Sequence, residues 1–181
     1  MKILFFAGST RSGSLNKQYV ALAHKILSRN NDLECELLQL NDYALPVYDG
    51  DIEKNSFPPA AKALAEKIQA CSAMVISSPE NNGSIAAVLK NTIDWVSRLP
   101  NTPWKGKHIL LMGASPGAFG AVRGLWHTRV PFEALGCYVY PEMSGLPKAH
   151  EAFAVEGELK DKASQERLTL LLDAFKNHAS D

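Results

Sequence analysis

Three short apolar runs, KILFFA from Lys2, AMVIS from Ala73 and KHILLMGA from Lys107, each stop at a small polar turn rich in glycine, serine or proline. Apolar residues at helical spacing follow each turn. Runs this short and this uniformly apolar fit strands covered on both faces. Parallel neighbours need crossover helices, and those crossovers are right-handed. The repeated order of strand, turn and helix therefore predicts a doubly wound α/β sandwich with helices on both sides of a parallel sheet.

After the first turn, GSTRSGS, residues Leu15, Tyr19, Leu22, Ala23, Ile26 and Leu27 recur as one helical face. Residues 33–40 alternate as a second strand, and a proline-bearing connection over 45–59 leads into a helix over 60–70. The stretch SSPENNGSIAAVLKNTIDWVSR reads as a loop followed by a helix, with Ile85, Val88, Leu89, Thr92, Ile93 and Val96 on one face. Trp95 supplements that helix, and its ring packs either in the core or against a second copy of the chain. A helix over 117–134, a fifth strand over 137–140 and a last helix over 162–177 complete the order. With 181 residues, 46% of them hydrophobic, residues 1–181 are expected to form one domain around a substantial core.

Charge and cysteine usage narrow the function classes. The chain carries 19 lysines and arginines against 19 acidic residues, so it lacks the broad basic field of a nucleic-acid binder. Any anionic ligand must be met locally. The N-terminal apolar run is only as long as a buried strand and ends in a polar turn, unlike a secretory leader. No segment approaches the roughly 20 apolar residues of a membrane span. Cys35, Cys71 and Cys137 are odd in number, widely spaced and free of CxxC pairing, which predicts buried thiols in a reducing cytoplasm and no metal site.

Ligands of such sheets sit beyond the carboxyl ends of the strands. GSTRSGS, SPENNGS and ASPGAFG all fall there, so a single composite site is expected. In the first loop Ser9, Ser12 and Ser14 offer hydroxyls and Arg11 a fork of donors at a helix N-terminus, a suitable cradle for phosphate. Read more plainly, Ser12 or Ser14 only caps the helix. In the second, Pro79 ends the strand, Gly83 permits a conformation closed to other residues and Ser84 can cap the next helix. Asn81 and Asn82 bring amides to the sheet edge, suited to the rim of a flat heterocycle or simply to the turn. Ser115 and Gly117 belong to a third loop of small residues. There is neither a GxxxxGK[ST] nor a GxGxxG pattern.

At these positions the chain resembles the flavodoxin-like NAD(P)H-dependent FMN reductases, a family that includes quinone, azo-dye and chromate reductases. Residues 8–16, GSTRSGSLN, match its GSxRxxSxN loop; residues 78–84, SPENNGS, with LKNTIDW after them, match its PEYNGS…LKNAIDW block; ASPGAFGAVRGL and EALG match its third. The resemblance implies a five-stranded parallel sheet of order 2-1-3-4-5. It also implies bound FMN, NADPH or NADH as co-substrate and a small acceptor: a quinone, azo compound, flavin or oxidised metal ion. Ser9, Arg11, Ser14, Leu15 and Asn16 would hold the phosphate and ribityl end. Pro79, Glu80, Asn81, Asn82, Gly83 and Ser84 would line the ring, with Ser115 and Gly117 on its far side. Homodimers or homotetramers are implied as well. Asn81 stands where the family has tyrosine, which opens the acceptor side.

With a flavin carrying the chemistry, no protein acid, base or nucleophile is demanded. Glu80 is therefore expected to accept hydrogen bonds from neighbouring N–H groups, and His108 and His127 to be structural or surface residues. A flavodoxin-type electron carrier, or a flavin-binding protein with little turnover, is the alternative. The neutral charge and Arg11 disfavour the carrier. A phosphatase of similar topology is excluded, because no cysteine stands five residues before an arginine.

Overall fold

The computed structural model describes residues 1–180. Its elements run β1 (Lys2–Ala7), α1 (Leu15–Leu27), β2 (Glu34–Leu37), a 3-10 turn (Leu40–Tyr43), α2 (Gly50–Asn55), α3 (Pro59–Ala70), β3 (Ala73–Ser77), β4 (Glu80–Asn81), β5 (Ser84–Ile85), α4 (Ala87–Ser97), β6 (His108–Ala114), α5 (Val122–Ala134), β7 (Tyr138–Val139), β8 (Ser144–Leu146), α6 (Ala149–Ala152) and α7 (Lys162–His178).

The main sheet has the order β2-β1-β3-β6-β7, all parallel, which is the flavodoxin-like doubly wound arrangement. Side chains alternate through it. Ile3, Phe5, Val75 and Leu110 pack with α1 and α7 on one face. Leu4, Phe6, Ile76 and Leu111 pack with α3, α4 and α5 on the other. The uniform apolarity of the strands follows from burial on both sides. Register brings Ala7 beside Ser77 and Ser77 beside Met112, so the loops after β1, β3 and β6 leave the sheet together.

The structure departs from the sequence reading in four places. The fifth strand is broken into β7, paired with His108 and Ile109, and β8, paired with Met112 through Ala114. Pro141, which has no N–H, lies between the two pieces, and Arg129 takes the carbonyls of Tyr140 at 2.8 Å and Val139 at 3.2 Å. The connection before α3 contains α2, whose N-cap Asp49 accepts from Asp51 N at 2.7 Å and Ile52 N at 3.3 Å. The helix expected from residue 117 begins only at Val122. Residues 80–85 form an antiparallel hairpin whose two turn residues, Asn82 and Gly83, have φ of 52° and 75°. Positive φ at both positions is the geometry of a type I′ turn, for which Asn-Gly is the favoured pair.

Trp95 is fully buried within the chain. Its Nε1 donates to Pro46 O at 2.7 Å, and Tyr48 and Phe57 meet its ring edge-on. The core reading of this residue holds, and no face of the ring is left for a second copy. Cys71 and Cys137 are buried and Cys35 partly so, all as free thiols. Burial pushes Cys71 up to about 11 and Cys137 up to about 12, so neither is a reactive thiolate at neutral pH. No described helix is long and apolar enough to cross a membrane.

Candidate functional site

A cleft of about 440 Å³ opens where the loops after β1, β3 and β6 converge. Of the residues picked from sequence, Ser9, Arg11, Ser14, Leu15, Asn16, Pro79, Glu80, Asn81 and Ser115 line it. Asn82 and Gly83 form the tip of the hairpin turn and do not line the cleft. Ser84 does not line it either, nor does it cap α4, whose N-cap is Ala86 with no side-chain bond. The hairpin carries Ser84 onto α5, where its Oγ meets His127 Nδ1 at 2.9 Å. Gly117 is exposed outside the cleft, its N–H donating to Ser115 Oγ at 3.0 Å.

The first wall is a helix N-terminus prepared for an anion. Ser14 caps α1, its Oγ accepting from Lys17 N at 3.4 Å. Arg11 folds back, Nη2 donating to Gly13 O at 2.8 Å, which leaves other guanidinium donors free at the surface. Among the described residues the backbone N–H groups of Ser9, Thr10, Ser12 and Gly13 have no partner in the chain. Unpaired amides at the positive end of a helix, with hydroxyls and an arginine beside them, suit a phosphate.

Asn16 lies beneath this loop and is 3% exposed. Its Oδ1 accepts from Ala114 N and Ser77 Oγ, and its Nδ2 donates to Ala114 O, all at 2.9 Å. One amide hydrogen remains for a ligand; the rest of the group ties α1 to the ends of β3 and β6. Asn41 braces the outer side of the loop, donating to Thr10 O at 2.8 Å and accepting from Lys17 Nζ at 2.6 Å. Sequence reasoning missed Asn41, because nothing in its spacing ties it to a loop 31 positions earlier.

The hairpin forms the second wall, and Ala86, Ala87 and Val88 after it give the cleft an apolar side. Glu80 turns its carboxylate toward α5. Oε1 pairs with Arg123, and Oε2 accepts from Gly124 N at 3.1 Å. Burial pushes this carboxyl upward, but the bonds from Arg123 and Gly124 outweigh that and hold it below its ordinary value. It is thus an acceptor for N–H groups, as its position after Pro79 suggested. His127 is exposed and holds the hairpin. His108 lies far from the cleft, its ring tilted against Tyr138 and edge-on to His178, with burial and the His178 charge lowering its pKa.

Known proteins resemble this chain over most of its length. Residues 1–151 match the family model described as NADPH-dependent FMN reductase. An NAD(P)H-dependent FMN reductase of Pseudomonas aeruginosa is 36% identical over 177 residues, covering 97% of this chain and 93% of its own. A quinone reductase of Escherichia coli K12 is 34% identical over 178 residues, with the same coverage of 97% and 93%. Among solved structures, an NAD(P)H:(acceptor) oxidoreductase flavoenzyme from Paracoccus denitrificans superposes with a TM-score of 0.84 at 28% identity, covering 99% of this chain and 97% of its own.

Proposed function

The chain belongs to the NADPH-dependent FMN reductase family, and from that premise we propose how its cleft works. The protein is an oxidoreductase that takes electrons from NADPH or NADH and passes them through FMN to a small acceptor. FMN, when bound, supplies the redox chemistry. Everything else falls to the residues lining the cleft.

In this reading Ser9, Arg11 and Ser14, with the free amides of Ser9, Thr10, Ser12 and Gly13, hold the phosphate, and Leu15 and Asn16 border the chain that joins it to the ring. Pro79, Glu80 and Asn81 present backbone to one edge of the ring, and Ser115 and Pro116 close the other. Asn82, Gly83, Ser84 and Gly117 shape these walls from behind. No side chain is needed as acid, base or nucleophile. The observation that carries the reading is that Ser9 and Thr10, whose amides have no partner among the described residues, line one cleft at the strand ends together with Arg11, Ser14 and the hairpin residues Pro79, Glu80 and Asn81.

We assign the acceptor to the class of quinones, azo compounds, flavins and oxidised metal ions. Asn81 gives the hairpin a short polar side chain where an aromatic would narrow the entrance, which favours bulky planar acceptors. We place the protein in the cytoplasm, in keeping with its three free thiols, and treat residues 1–181 as a single domain. It assembles as a homodimer or homotetramer in this proposal; Phe119, Trp126 and Val130 stand exposed in and just before α5, beside the hairpin. Light scattering on the purified protein tests that assembly.

The decisive experiment is the visible spectrum and NADPH oxidation of the purified protein. Flavin absorption, or uptake of added FMN, with acceptor-dependent NADPH or NADH oxidation is expected. A colourless protein that takes up no FMN sinks the proposal. FMN binding without nicotinamide oxidation would return it to an electron carrier.

A further inference from the structure

Helix α5 starts without a cap of its own. Ala121, at the N-cap position, has no side-chain acceptor and sits at φ 69°, a left-handed conformation unusual for alanine. Val122 N finds Phe119 O at 3.1 Å, and the remaining N–H groups of the first turn need an acceptor from elsewhere. Glu80 provides it from 44 positions away, taking Gly124 N at 3.1 Å and pairing with Arg123. The carboxylate stands where a capping side chain would, at the positive end of the helix dipole, and only 10% of its side chain is exposed.

Shape reinforces the contact. A Cβ on Gly124 would lie 3.0 Å from the Cα and Cβ of Glu80 and from Ser84 O, so the hairpin sits directly on the helix backbone. One turn further, His127 holds Ser84. Arg123, the charged partner of Glu80, lies over the Phe119 ring at 5.1 Å, which extends the contact into the loop that leads from Ser115 to α5. That loop supplies the opposite edge of the cleft.

We infer that Glu80 is a positioning residue: its carboxylate caps α5 across the fold and couples the hairpin to the loop before α5, so that a flavin meets both walls as one preset unit. The inference rests on the FMN reading of the cleft, which gives that coupling its consequence. Glu80 acts through the backbone that it seats, and the side chain itself makes no ligand contact.

Amide hydrogen exchange on the ligand-free protein tests the coupling, and FMN titration tests its consequence. Glu80→Gln keeps the size of the side chain and one acceptor but removes the charge; Gly124→Ala keeps every polar group and lifts the hairpin off the helix. In both variants we expect exchange at position 124 and across residues 80–85 to speed up about two- to fivefold, exchange at residues 9–13 to stay unchanged, and the Kd for FMN to rise about three- to tenfold. Glu80→Asp should restore part of the protection lost in Glu80→Ala. Unaltered hairpin exchange in Glu80→Gln, with or without a loss of FMN affinity, overturns the inference, since the residue then either does nothing or touches the ligand itself. If the parent protein takes up no FMN, the functional reading fails while the exchange data still decide the capping.

Discussion

The loop over residues 8–16 and the hairpin over residues 80–85 form the two walls of one cleft, the first anchored from beneath by Asn16 and the second from the side by α5. Asn16 is a neutral amide, buried and hydrogen-bonded to the backbone and a serine of the sheet. Glu80 is a charge at the edge of the fold, bonded to one exposed arginine and one helix N–H. The first anchor is part of the core that folding must form in any case. The second can be lost while the sheet stays intact. Binding determinants on a fixed wall and on an adjustable one should respond differently to mutation.

The largest effect should come from the fixed wall. Asn16→Leu leaves Ala114 N, Ala114 O and Ser77 Oγ unpaired in the interior, and each buried unsatisfied group costs about 1–3 kcal/mol. Relief through water or small shifts reduces the sum, so we expect a loss of about 3–5 kcal/mol in urea unfolding. A loss below about 1 kcal/mol would mean that the wall is not anchored from beneath, and the contrast would collapse.

Arg11→Ala tests the same wall from its outer side. Arg11 is exposed and its side chain is bonded only to Gly13 O, so stability should hardly change. FMN affinity should fall about ten- to a hundredfold, from the roughly 1.5–3 kcal/mol of a charge-assisted hydrogen bond. Fluorescence titration reads this directly, and unchanged affinity removes Arg11 from the phosphate site. Asn16 and Arg11, five residues apart, should thus separate stability from binding.

What the sequence discloses follows the same division. The apolar runs at Lys2–Ala7, Ala73–Ser77 and His108–Ala114 and the capping role of Ser14 are legible because period and cap are local properties. Ser84 shows the limit: a serine shortly before a helix reads as a cap, yet the hairpin turns it toward His127, 43 positions on. Trp95 is undecidable from its helix alone because its partner, Pro46 O, lies 49 positions earlier. The break in the fifth strand depends on Arg129 reaching the carbonyls of Val139 and Tyr140. Three of these depend on where distant segments meet, which spacing along the chain does not encode.

The smallest effect, and the one that most sharpens the contrast, is its pH dependence. The Glu80 carboxyl is held below its ordinary value in the folded protein, so its contribution is fully present above the ordinary carboxylate pKa of about 4.3 and is lost as pH falls through the lower folded value. Arg123 and, one turn on, His127 are the ionisable groups that α5 turns toward the hairpin. Glu80→Gln removes the carboxyl titration while leaving both in place. The stability difference between parent and variant should be under about 1 kcal/mol at pH 7, because half of the Arg123 side chain is exposed and the pair is open to screening. Measured by urea midpoints, that difference should hold from pH 7 to about pH 5 and shrink as pH falls further, through the lowered folded value. No such trend is expected for Asn16→Leu, whose lost bonds are all neutral. A Glu80→Gln difference that stays constant down to pH 3 would show that shape alone seats the hairpin, and would make the two walls alike.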